Sequence, residues 1–222
     1  MQREPFLAEL SARLGRPRPR VAPARAGEST APLGPELAPS ELRNRFRREL
    51  TQLGGEVVLA RSREEACAAL AAELGRAERI VSWDRTELAK CSGLELTPLW
   101  QSLGDRVRGP SVRDFRAALL AADVGVTGVD YAIAETGTLV LSASAERPRG
   151  VSLAPRLHVA LVRERQLVAR RRATWAQFRA EMPSALLFIT GPSRTSDIEN
   201  DLAIGVHGPA RVLTIVIPEA GG

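Results

Sequence analysis

Apolar residues recur along this chain in two rhythms, one with helical spacing and one in short unbroken blocks, and their alternation predicts an α/β fold. Residues 5–14 place Phe6, Leu7, Leu10 and Leu14 on one helical face, closed by Gly15. From Arg16 to Pro39 the apolar period disappears; Pro, Arg, Ala and Gly dominate, as in an extended arm. The sequence therefore divides into an N-terminal helix and arm (1–39) and a compact domain (40–222). In the domain Leu42, Phe46, Leu50 and Leu53 form a helical stripe ended by Gly54-Gly55, followed by VVLA (57–60) as a buried strand. Ser62 and Glu65 have capping-box spacing and open a helix to Gly75, and RIVSW (79–83) is the next strand.

Beyond that strand the pattern predicts a short helix around Glu87–Lys90, a strand at Leu94–Leu96 and a loop to Pro110. A second capping box at Ser111–Asp114 opens a helix through Ala122. Residues 124–142 read as two or three strands with tight turns at glycines 125, 128 and 137. LHVALV (157–162) and QLVA (166–169) suggest a strand pair. A helix at 174–181, a buried strand at 185–190, a helix at 196–203 and a last strand at 212–217 complete the pattern. The expected architecture is a three-layer α/β/α arrangement with a mixed, mostly parallel sheet.

Composition narrows the functional classes. The 222 residues are 44% hydrophobic and 26% charged, typical of a globular chain. No apolar run approaches the roughly 20 residues that span a bilayer, and the N-terminus lacks the apolar core of a secretory signal. The net charge is +5, with Lys90 the sole lysine; residues 1–50 hold ten Arg against six Glu, which concentrates the excess in the terminal segment. A nucleic-acid binder gathers its cations on the folded face, so nucleic-acid binding is not expected. Two cysteines, Cys67 and Cys91, and two histidines cannot build a four-cysteine or three-histidine site. No metal or cofactor is expected in this chain, and the cytosol is the expected compartment.

Ligands of open α/β sheets sit beyond the carboxyl ends of strands, and two segments answer to that rule. In the first, Gly191 and Pro192 lead into Ser193, Arg194, Thr195 and Ser196, with Ser196 and Glu199 at capping-box spacing. Arg194 suits a carboxylate or phosphate as a two-toothed fork, and a helix N-terminus adds its own attraction for an anion; the other reading pairs Arg194 with Asp197 and Glu199. In the second, Glu135, Thr136, Gly137 and Thr138 sit between two apolar strands. Glu135 suits a general base, a nucleophile or a hydroxyl anchor there, or else is a solvent-facing turn residue. Arg147 lies in a loop after those strands and adds positive charge over the same crevice or simply lies on the surface. His158 starts an apolar strand and reads as structural, while His207 and Gly208, flanked by turn residues, leave backbone open to a ligand.

Taken in order, AETGTLVL (134–141), RPR…SLAPRLHVALV (147–162) and GPSRTSDIENDLAIGVHGP (191–209) resemble the lactate-utilisation C proteins of the LUD-domain family over roughly residues 40–218. FLAELSARLGRPRP at the N-terminus is similar too; Ala154 and Arg156 depart from the Leu-Pro-Pro frequent in the family. The resemblance implies a fold akin to sugar-phosphate isomerases and coenzyme A transferases. It also implies a part in oxidising L-lactate to pyruvate beside two partner proteins, at least one an iron–sulfur oxidoreductase. The reading that follows is a non-redox subunit binding a small carboxylate or phosphate, with Glu135, Ser193, Arg194 and Thr195 around it. The alternatives are a stand-alone isomerase- or transferase-like enzyme and a ligand-free scaffold docking through its N-terminal helix onto a partner or a second copy.

Overall fold

The computed structural model describes Glu9, residues 12–13, 37–178, 182–196 and 202–219. It divides into two units, Met1–Gly34 and Pro35–Gly222. In the first, Glu9, Ala12 and Arg13 are helical and Arg13 pairs with Glu9 at 2.7 Å.

The second unit is built on a six-stranded sheet whose strands all run parallel. Its strands are β1 (Glu56–Leu59), β2 (Ile80–Ser82), β3 (Val107–Arg108), β4 (Val124–Thr127), β7 (Leu157–Arg163) and β12 (Arg211–Ile217), in the order β1-β12-β7-β4-β2-β3. Near-continuous burial along β2, β4, β7 and β12 is what a sheet covered on both faces requires. On one face, helices α2 (Arg63–Gly75) and α4 (Thr97–Leu103) bury Leu70, Leu74, Trp100 and Leu103. Against the other lie α1 (Pro39–Gln52), α5 (Phe115–Ala121) and α6 (Gly150–Leu153), through Phe46, Leu50, Leu119 and Val151. A second, four-stranded sheet joins that layer: β8 (Leu167–Val168), β5 (Tyr131–Ile133), β6 (Thr138–Ser142) and β9 (Leu186–Ile189), with β6 antiparallel to both neighbours. The antiparallel pairing expected of a mixed sheet is thus confined to separate, smaller sheets.

Local chemistry explains most element ends. Ser62 Oγ accepts from the Glu65 amide at 3.2 Å, while Glu65 reaches back to the Arg61 amide at 2.9 Å. Asp84 caps α3 (Arg85–Ser92) through the amides of Thr86 and Glu87. Gly125 in β4 lies so close to α6 that a Cβ there would stand 1.9 Å from the Val151 carbonyl oxygen. The last helix, α7 (Arg172–Phe178), follows β8.

Several expectations are corrected. Leu94–Leu96 is not a strand, because Gly93 ends α3 left-handed and Glu95 accepts from the Thr97 amide to start α4. Ser111–Asp114 forms successive turns rather than a capping box: Val112 and Phe115 donate to Gly109 and Val112. The expected pair at 157–169 splits, β7 joining the large sheet and β8 the small one. The strand at 185–190 is not buried; β9 is an edge. At the two ends of the helix expected at 196–203, β10 (Arg194–Ser196) and β11 (Leu202–Ile204) instead pair antiparallel, and 197–201 lie outside the described residues. Eight residues are too few for a helix to hold without packing, and the Gly205 amide donating to the Ser193 carbonyl closes the strands together. The Glu199 of the expected capping box lies outside the described residues.

Candidate functional site

The carboxyl ends of three adjacent strands, β2, β4 and β7, release Trp83, Val129 and Asp130, and Arg165 and Gln166 on one side of the molecule. There the loop after β6 brings in Arg147, half-buried. Its guanidinium donates through Nε and Nη2 to Glu87 Oε2 at 3.1 and 2.9 Å and through Nη1 to Asp130 Oδ1 at 3.1 Å. It also lies over the Trp83 ring, 5.4 Å from its centre, a cation–π contact. Lys90 donates to the other oxygen of Glu87 at 2.7 Å. Bonds from Lys90 and Arg147 hold the Glu87 carboxyl below the usual range, so both charges persist at neutral pH.

Asp130 ties the two sheets: its second oxygen accepts from the Ser142 amide in β6, while its own amide donates to the Val140 carbonyl. Burial, with Asp130 beside it, raises the Tyr131 phenol, which stays a neutral donor. Burial also pushes the Cys91 thiol up, against the pull of Arg147, so it is no thiolate nucleophile. Two hollows open around this cluster. One, about 410 Å³, is lined by Lys90, Asp130, Tyr131, Arg147 and Arg165; the other, about 530 Å³, by Glu87, Ser144, Glu146, Arg147 and Met182; Phe178 lines both.

Of the residues singled out from sequence, only Arg147 reaches this crevice. Glu135, Thr136 and Gly137 lie in the turn between β5 and β6 and Thr138 begins β6, at that hairpin's far end. Gly137 has φ +63, and a Cβ there would meet the Leu50 amide nitrogen at 2.4 Å; the close approach it permits is to α1. Arg194 arrives at the same place, whereas Ser193 lies beside Gly208 and donates its amide to the Pro209 carbonyl. Arg194 Nη2 donates to the Leu53 carbonyl, a cation at a helix C-terminus. Thr136, Thr138 and Thr190 share a chain of hydroxyl bonds at 2.7 and 2.9 Å. So the two segments do converge, around the end of α1. The backbones of Thr195 and Ser196 run in β10.

His207 and Gly208 line a different hollow of about 390 Å³ with Leu120, Leu153 and Arg156, at the amino ends of β4, β7 and β12. His158, wholly buried in β7, shares a 2.8 Å bond with Thr127. Removing Arg194 tests its structural share: Arg194→Ala should lower stability by about 0.5–1.5 kcal/mol in urea unfolding. A loss well above that range would mean it holds more than the helix end. The residues missed from sequence, Trp83, Glu87 and Asp130, had one available signal: Trp83 directly follows β2 and Asp130 lies in the loop three residues past β4.

A family model for the LUD domain matches residues 43–217. Over 149 residues the chain is 36% identical to lactate utilization protein C of Shouchella clausii, a match covering 64% of this chain and 64% of that protein. It is 38% identical over 104 residues to lactate utilization protein C of Halalkalibacterium halodurans, covering 44% and 45%. The matched stretch is thus under two thirds of the first relative's length and under half of the second's. A solved structure of a DUF162 family protein from Deinococcus radiodurans is 28% identical with a TM-score of 0.61, covering 82% of this chain and 99% of that one. Among the described residues no helix is long and apolar enough to cross a membrane, and no three His, Cys, Asp or Glu side chains gather as a metal site.

Proposed function

This chain belongs to the LUD domain family, and from that premise we propose that it is the non-redox subunit of an L-lactate-oxidising system, holding a small carboxylate or phosphate in the crevice around Arg147. The observation that carries the ligand site is Arg147 itself, a half-buried cation at the carboxyl ends of the parallel strands, lining two hollows at once. The names of the relatives, lactate utilization protein C, support the lactate system. Oxidising lactate to pyruvate releases two electrons and two protons. Two cysteines cannot ligate a four-cysteine cluster, so the electrons pass to iron–sulfur partner proteins.

In this reading Arg147, Lys90 and Arg165 set the positive potential that draws the anion, and Glu87 and Asp130 fix the guanidinium in place. Arg147→Ala leaves Glu87 and Asp130 facing each other without their shared cation. Lactate-dependent dye reduction by the chain reconstituted with its iron–sulfur partners should then fall at least tenfold, about 1.4 kcal/mol, with the circular dichroism spectrum unchanged. Full activity in that variant would sink the site. Dye reduction by the chain without partners would instead favour a stand-alone enzyme.

A further inference from the structure

The two hollows at Arg147 differ in chemistry. The smaller is lined by three cations, Lys90, Arg147 and Arg165, and one carboxylate, Asp130, with Glu87 behind them bonded to both Lys90 and Arg147. Among the described residues the Arg165 side chain makes one loose ion contact, 3.8 Å to Glu219, and is 63% exposed, which leaves donors for a ligand. The larger hollow carries Glu87 and Glu146 with Ser142, Ser144 and Ser184, beside an apolar strip of Phe178, Met182 and Pro183. Ionised carboxylates only accept hydrogen bonds, so whatever lies there must donate them. Ser144 already donates to Glu146 Oε2 at 2.8 Å, which aims the carboxylate and leaves its other oxygen available. A three-carbon acid would fill a small part of one hollow and leave the other to water.

Resting on the reading of this crevice as the ligand site, we propose that its ligand is a nucleoside monophosphate that occupies both hollows. The phosphate, with a charge of about −1.5 to −2, sits among Lys90, Arg147 and Arg165. The ribose hydroxyls donate to Glu146, as vicinal hydroxyls do to an acidic side chain in dinucleotide sites. The base lies on Phe178 and Met182, a ring and a thioether that favour an aromatic partner. Phe178, held edge-on to Tyr131 with ring centres 6.0 Å apart, is fixed where the two hollows meet.

The test melts the full chain alone and with adenosine 5′-monophosphate, uridine 5′-monophosphate, adenosine, inorganic phosphate or L-lactate. A saturating nucleotide should raise the midpoint by roughly 5–10 °C, and adenosine or phosphate alone by much less. The two nucleotides distinguish a purine from a pyrimidine site. Arg165→Ala should keep the unliganded midpoint and remove the nucleotide shift; Glu146→Gln should weaken nucleotide binding at least tenfold by calorimetry. No shift with either nucleotide, or a shift that survives Arg165→Ala, overturns the proposal. If lactate shifts the midpoint and the nucleotides do not, the nucleotide proposal falls while the anion site stands; if none of the five shifts it, both fall.

Discussion

Gly125→Ala should abolish stable folding, with a loss of about 3 kcal/mol or more. The added Cβ would stand 1.9 Å from the Val151 carbonyl oxygen and 2.9 Å from the Pro155 ring. The obstacle is backbone in α6, with Val151 wholly buried against the sheet, so no side-chain rotation relieves it. Relief requires α6 to lift from β4, which would uncover Val151 and reopen the layer that α1 and α5 share. Overpacking typically costs 1–3 kcal/mol even where the neighbour can give, and here it cannot. Gly75→Ala is the control: nothing lies within 4 Å of its added methyl at the end of α2. That variant should match the parent or gain a few tenths of a kcal/mol. Chemical denaturation of both decides the matter; a Gly125→Ala protein as stable as its control would show that α6 is not held where it stands.

The second large effect is acid lability centred on His158. Burial pushes this imidazole down to about 3, from an ordinary value of 6.5. Between those values the unfolded chain binds a proton at this position and the folded chain does not, so stability falls as the pH drops below 6.5. From pH 6.5 to 4.5 the loss is on the order of 2 kcal/mol, approaching 1.36 kcal/mol per unit once the unfolded imidazole is fully protonated. Carboxylates lowered by their partners, such as Glu87 and Asp123, add a loss of the same sign only as the pH falls below about 4.5. His158→Gln keeps a donor toward Thr127 and cannot titrate, so its stability should change far less over that window. Urea midpoints of both proteins at pH 7.0, 5.5 and 4.5 read the difference directly. Parallel curves would mean that His158 takes its proton in the fold without penalty.

Sequence periodicity located the helices that bury one face and the strands buried on both. The stripe from Leu42 to Leu53, the Ser62 cap and the block at 212–217 all stand where their patterns indicate. Periodicity reports burial and leaves the pairing partner open, and the errors follow from that. QLVA and ALLFIT look like sheet strands and are, but in the smaller sheet. Reading residues 185–190 as a buried strand placed the loop after them at a ligand-binding end, whereas its Arg194 and Gly191 lie against the end of α1. The crevice itself was nearly illegible. Arg147 stands 60 residues from Glu87 and 17 from Asp130, and no local pattern joins positions so far apart. What the sequence does contain is the rule about carboxyl ends of strands, and it holds once the right strands are known.

The order of strands has a consequence for how this protein is made. Among the described residues β1 pairs only with β12, Glu56 with Leu213 through Leu59 with Val216, and β12 also pairs along its whole length with β7. A strand synthesised near the beginning of the domain therefore waits for the last one. Until residues 211–217 leave the ribosome, the growing chain carries β1 without a neighbour and a gap beside β7 lined by apolar side chains. Contacts at such sequence separation are slow to form, and unpaired parallel strands are open to wrong partners meanwhile. The seven-residue β12 fills the place between β1 and β7, so a nascent chain stalled before Arg211 should be protease-sensitive throughout β1 and α1, and one extended well past Ile217 should not.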